Sequence, residues 1–359
     1  MIRLYFLQAF YHLRENPIIT WVSILGTAMA ICMIMVLVIT FQVRLVDCEP
    51  EVNRSRTLYV PYMSVKQKGN SDNESANASM SVRTGRECFR ALSMPEAVTL
   101  ASGVYRVRAS VPSRSKATAD MVQTDEAFWT IFSFHFLSGE AFTKADCDAG
   151  LTRAVLDATT ARRLFGTTDA VGRTVQLDYV DYTVAGVVAD VSMLATAAYA
   201  QIWVPYTAAG AEAMSWQNDT MGPMHAIILA RSSADFDAIR EETELLRKKY
   251  NDGLQDIEVF YRGQPDTQLA YLYRRWYAEP DVPGVMLRYA IVVIILLLVP
   301  AVNLSGMTLS RMRRRMAEIG VRKAFGATGG ELMRQVFFEN LVLLSLIHIS
   351  EPTRPISIS

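Results

Sequence analysis

The sequence predicts a membrane α-helical protein whose first and second spans flank an inserted α+β extracytoplasmic domain. Three observations lead there. No charged residue occurs over residues 16–43 or over 289–310. The 245 residues from 44 to 288 mix short β-like runs with polar helical patterns. Basic residues crowd just after the second apolar run, at Arg311, Arg313, Arg314, Arg315, Arg322 and Lys323.

Residues 1–16 come first. Ile2, Phe6, Phe10 and Leu13 recur at near-helical spacing, with Gln8, His12 and Arg14 elsewhere on the wheel. That suits a cytoplasmic amphipathic helix lying in contact with membrane lipid. The first span follows over 17–43. Twenty helical residues cross a bilayer core, so this run spans with length to spare. Asn16 and Pro17 fit an N-cap followed by proline at the first helical position. A cleaved signal peptide fits poorly, because the apolar run is too long and no small-residue cleavage site follows before Cys48.

The domain over 44–288 carries β-like runs at 57–65, 174–179, 182–190, 201–206 and 225–230. Helical patterns occupy 157–165 and 234–250. The polar stretch GNSDNESANASMS over 69–81 reads as a variable loop. A second span is expected over 289–310, with Pro300 inside it, a residue that membrane helices tolerate. Its basic C-terminal flank places that side in the cytoplasm and residues 44–288 outside it. Charge agrees with this division. The domain holds 26 basic and 31 acidic side chains, a net of −5, against +5 for the rest of the chain.

Residues 311–335 form a cytoplasmic segment. Met312, Met316 and Ile319 fall on one helical stripe, while Arg314–Glu318 and Glu318–Arg322 are opposite charges four apart. The start of a third span is expected over 336–349. Two prolines and two charges within Glu351-Pro352-Thr353-Arg354-Pro355 then stop it, so 350–359 reads as a non-native tail on a truncated chain.

Several chemistries are excluded. A whole-chain balance of 36 basic and 36 acidic residues argues against a nucleic-acid partner. None of the seven lysines follows a glycine, so there is no phosphate-binding P-loop. His12, His135, His225 and His348 are isolated, and no two cysteines form a CxxC pair. Cys48, Cys88 and Cys147 lie in the oxidising compartment, where one disulfide could form. Asp178 and Asp181 could be imagined as an acid and base pair, though a solvated strand edge explains them better. No catalytic, cofactor or metal residue is assigned.

The string Arg315-Met316-Ala317-Glu318-Ile319-Gly320-Val321-Arg322-Lys323-Ala324-Phe325-Gly326-Ala327 resembles the R-x-x-E-I-G-[IV]-R-[RK]-A-[LF]-G-A signature of the MacB/FtsX-like ABC transporter permeases. TDEAFWTIFSFHFLSGEAF over 124–142, AVLDATTARRLFGTTDAVGRTVQL over 154–177, YTVAGVVAD and IWVPY are similar to successive segments of the MacB-type periplasmic core domain. The resemblance implies a non-catalytic, multi-pass subunit of the bacterial inner membrane. It would work as a homodimer or with a paralogous permease, docked on a separate ABC ATPase subunit that uses the ATP. A periplasmic adaptor is a further implied partner. The implied work is mechanotransmission to the external domain, for efflux of a drug or peptide or for lipoprotein release. Family members carry four spans, so the native chain is expected to continue past Leu344. The ATPase-coupling residues are then Met316, Ile319 and Phe325 as an apolar stripe and Glu318, Arg322 and Lys323 at its rim. Gly320 permits close approach, and Gly326 punctuates the segment. A two-span sensor is the alternative, but it requires a signalling module after Arg311 that the sequence lacks. A membrane-anchored enzyme requires a catalytic constellation, also lacking.

Overall fold

One uninterrupted helix runs Pro17–Leu45, with no charge before Arg44. At 1.5 Å per residue it is about 43 Å long, against a hydrocarbon core of about 30 Å. From Leu25 onward most of its large apolar side chains stand exposed, Met29, Met33 and Met35 each by more than half. A core helix of a water-soluble protein buries such a face, so this exposure fits a helix solvated by lipid. The structure, a computed structural model, describes residues 17–69, 75–111, 116–276, 278–314, 316–326, 328–330 and 333. They form two compact units, Val36–Tyr289 and the described parts of Met1–Met35 with Ala290–Ser359. The expected elements over 1–16, 336–349 and 350–359 lie outside the described residues.

A second long helix, Val282–Arg314, contains Pro300. It begins seven residues before the expected span, because the Asp281 carboxylate accepts the Gly284 N–H at 2.9 Å and caps it early. The windows Leu25–Leu45 and Val282–Val302 are both long and apolar enough to cross a membrane. A short helix, Met316–Ala324, follows, and Gly326 ends it at φ +95°, a left-handed conformation that glycine adopts without a Cβ penalty.

Between the spans the chain folds as α+β around three sheets. The first is antiparallel, in the order Asp266–Thr267, Thr57–Val60, Met224–Leu229 and Ala97–Ser102. A three-stranded sheet, Ile257–Phe260, Met63–Gln67 and Ala76–Ala78, joins it around one core with the helix Phe236–Asp252. The third has seven strands, from Phe136–Gly139 through Val180–Val188, Arg153–Asp157, Ile202–Pro205, Lys116–Thr124 and Tyr105–Ser110 to Thr174–Leu177. Thr174–Leu177 also pairs with Val180–Val188, so this sheet curls back on itself around a second core. A third cluster joins the halves. Tyr59, Ala101, Ile227 and Leu229 of the first sheet pack with Val122, Phe128, Phe132 and Trp203.

Two expectations need correction. The single run over 57–65 is two strands, Thr57–Val60 and Met63–Gln67, which belong to different sheets. Pro61 between them has no N–H to donate, and the chain changes sheet there. The end of the polar stretch is no loose loop either. Ala76–Ala78 pairs with Met63–Gln67, and Met80 is fully buried with its N–H on the Met224 carbonyl. Small alanines and serines hid a strand that hydropathy alone does not reveal. On the disulfide that the sequence left open, all four cysteines are free.

Candidate functional site

The first span leaves the membrane into a buried ion pair. Arg54 Nη1 donates to the carbonyls of Val43 and Val46, both at 2.9 Å, and so satisfies acceptors that the end of a helix leaves orphaned. Its Nε donates to Glu51 Oε2 at 2.5 Å, and Nη2 to the Leu194 carbonyl at 2.9 Å. The other Glu51 oxygen accepts the N–H groups of Ala197 and Ala198 at 2.8 and 3.0 Å. Both side chains are 1 % exposed. A buried charge pair is tolerated only when its remaining donors and acceptors are satisfied, and here a second loop does that.

The return to the second span is built the same way. Arg274 and Asp266 form a two-pronged pair, Nη2 donating to Oδ1 at 2.8 Å and Nε to Oδ2. The same guanidinium donates to the carbonyls of Arg262 and Ala278, both at 3.0 Å. Burial pushes the Asp266 carboxyl up, and the Arg274 partner opposes that rise. Gln268, opening the helix Gln268–Tyr273, donates to the Arg44 carbonyl of the first span at 3.0 Å. Tyr273 donates to the Tyr289 hydroxyl at 2.9 Å, and Tyr289 packs on Phe41 with ring centroids 5.4 Å apart.

The two clamps meet in one sheet. Arg54 sits just before strand Thr57–Val60, and Asp266 belongs to the strand paired with it, Tyr59 opposite Asp266. The residues that hold the two connections thus lie at or beside neighbouring strands of one sheet.

A third polar knot lies deeper. Asp125, 1 % exposed, accepts from Thr99 Oγ1 at 2.6 Å, Leu100 N–H at 3.1 Å, Ala127 N–H at 3.2 Å and Arg90 Nη1 at 3.2 Å. It ties strand Ala97–Ser102 of the first sheet to the end of Lys116–Thr124 in the third. Burial pushes its carboxyl up to about 6, further than Arg90 and the hydrogen bonds pull it down.

Of the coupling residues named from the sequence, Met316, Gly320, Lys323, Phe325 and Gly326 are exposed, Phe325 by 87 %. Among the described residues, no atom outside its own helix backbone and chain neighbours lies within 4 Å of where a Gly320 Cβ would stand. Glu318, Ile319 and Arg322 share the helix Met316–Ala324. Asp178 and Asp181 sit at a hairpin, where they accept from the Arg108 N–H and from Gln176. Sequence reasoning missed Glu51, Arg54, Asp125, Asp266 and Arg274. The signal available was slight: a Glu and an Arg three apart just beyond a span.

The fold and its clamps define a class, an extracytoplasmic α+β domain held by both of its connections to a membrane. The chain belongs to the family of the MacB-like periplasmic core domain, which matches residues 20–246, and the resemblance to MacB-like ABC transporter permeases drawn from the motifs stands. It is 28 % identical over 223 residues to the pyoverdine export ATP-binding/permease protein PvdT of Pseudomonas aeruginosa, covering 61 % of this chain and 31 % of that one. It is 26 % identical over 231 residues to the macrolide export ATP-binding/permease protein MacB of Chromobacterium violaceum, covering 64 % and 33 %. The match thus spans about a third of the length of these relatives. The periplasmic region of MacB from Actinobacillus actinomycetemcomitans overlays with a TM-score of 0.40 at 18 % identity, over 57 % of this chain and 90 % of that one.

Proposed function

We propose that the chain is the permease component of an ABC transporter, a multi-pass subunit of the bacterial inner membrane. It converts ATP hydrolysis by a separate ATPase subunit into movement of its extracytoplasmic domain. The double clamp carries this reading. A domain that is merely tethered needs one flexible connection, whereas here both connections are gripped by buried ion pairs feeding adjacent strands. The export named for the relatives supports efflux of a drug or peptide over lipoprotein release as the work done. The helix Met316–Ala324, with Met316, Glu318, Ile319, Gly320, Arg322, Lys323, Phe325 and Gly326, is the proposed ATPase contact, since its exposed apolar side chains and open Gly320 suit a partner's groove. ATP use is assigned to the partner ATPase. The chain pairs with a second copy or a paralogous permease, and a periplasmic adaptor engages the external domain.

The test separates coupling from folding. In the full-length protein reconstituted with its ATPase, Glu51→Met combined with Arg54→Met keeps the site filled but removes the grip on Val43, Val46 and Leu194. ATPase association and basal hydrolysis are expected to persist while transport is lost. Undiminished transport would refute the proposal.

A further inference from the structure

Residues 191–211 contain no Asp, Glu, Lys or Arg, although they lie in a domain rich in both signs. Only Ile202–Pro205 within this run is strand, and the preceding loop leaves Met193 72 % and Leu194 48 % exposed. An exposed apolar loop in water has no evident benefit, so its surroundings decide what it is for. The Leu194 carbonyl is bound by the same guanidinium that binds the carbonyls of Val43 and Val46. One planar group a few ångströms across therefore holds this loop at the level where the first span leaves the bilayer. Val43 and Val46 expose their own side chains there, by 39 % and 59 %. The apolar surface of the span thus continues outward into the loop.

We propose that the loop around Met193 and Leu194 inserts into the outer leaflet of the membrane, a second, non-spanning contact between the external domain and lipid. Arg54 fixes its height relative to the span, and Glu51, through Ala197 and Ala198, fixes its shape. Interfacial segments of this kind bury apolar side chains about 5–10 Å into the headgroup and acyl boundary. A movement of the first span that loosens the Arg54 grip would free the loop to leave the lipid.

Photo-crosslinking tests this directly. The full chain, carrying Met193→p-benzoylphenylalanine, is reconstituted in phosphatidylcholine and phosphatidylglycerol vesicles and irradiated. Tyr179→p-benzoylphenylalanine serves as comparison; it is 82 % exposed and lies at the other end of strand Val180–Val188, about 30 Å away along nine residues. Adducts of phospholipid mass are expected at position 193 well above the level at 179. Equal capture at both positions, no lipid adduct at 193, or an adduct there to a second copy of the chain would overturn the proposal.

Discussion

At the residue scale, the protein invests in buried charges that are expensive alone and useful only when paired. Arg54→Ala leaves the buried Glu51 carboxyl without its cationic partner, and breaking such a pair costs about 3–5 kcal/mol. The thermal midpoint of the external domain should fall accordingly, and Glu51→Met with Arg54→Met should recover only part of the loss, because the carbonyls of Val43, Val46 and Leu194 and the N–H groups of Ala197 and Ala198 lose those partners. Asp125 gives a different signature. Its carboxyl titrates near 3.8 when unfolded and at about 6 when folded, so the folded state holds its proton more tightly. As pH rises from about 4 to about 6 the folded state must accept a buried charge that the unfolded state carries in water. Stability therefore falls across that window by up to about 3 kcal/mol from this group. Asp125→Asn abolishes the titration. The stability difference between variant and wild type, followed by denaturant unfolding at successive pH values, should shift in the variant's favour between pH 4 and 6. A constant difference would contradict the assignment.

At the element scale, strand packing explains motifs that the sequence shows only as letters. Gly139, at φ +66°, pairs with Gly186 of Val180–Val188, and a Cβ there would stand 2.2 Å from the Ala185 carbonyl oxygen. No flexible side chain can yield at that point. Gly139→Ala should destabilise the domain by about 1–3 kcal/mol, measurable by chemical denaturation. The L-F-G turn is equally physical. Leu164 and Phe165 are buried, and Gly166 closes the helix Ala158–Phe165 at φ +78°. Helix Met316–Ala324 makes its own prediction. Gly320→Leu and Glu318→Lys in the full-length protein should reduce co-purification of the ATPase while membrane insertion is unchanged; full recovery of the ATPase with both variants would remove the docking role.

At the scale of the whole molecule, topology is the quantity to measure. A cysteine at Tyr179 should react with an impermeant maleimide added outside intact cells, and one at Lys323 only after permeabilisation, in a Cys48→Ser background because Cys48 is exposed. Swapped reactivity would invert the orientation and remove the basis for ATPase docking at Met316–Ala324. The same scale shows what joins the halves of the external domain. Tyr59 and Leu229 on one side and Phe128 and Trp203 on the other share a single cluster, so the first sheet cannot shift without disturbing the third.

Legible in the residues alone were the spans, the division of charge, the strands over 174–190 and the helix over 157–165. Each of these is a contest between solvents or a local repeat, and hydropathy and period report it within a few turns of chain. The sequence also carried the motifs of the core domain, whose aromatic and glycine spacings are local. Which charges are sealed away, and what they hold, emerges from the folded chain. Arg54 reaches Leu194 across 140 positions, and Glu51 reaches Ala197 across 146. The split at Pro61 and the burial of Met80 belong with these. Their energies come from partners that meet only when the sheets close, and a one-dimensional pattern holds no trace of a neighbour brought in by folding.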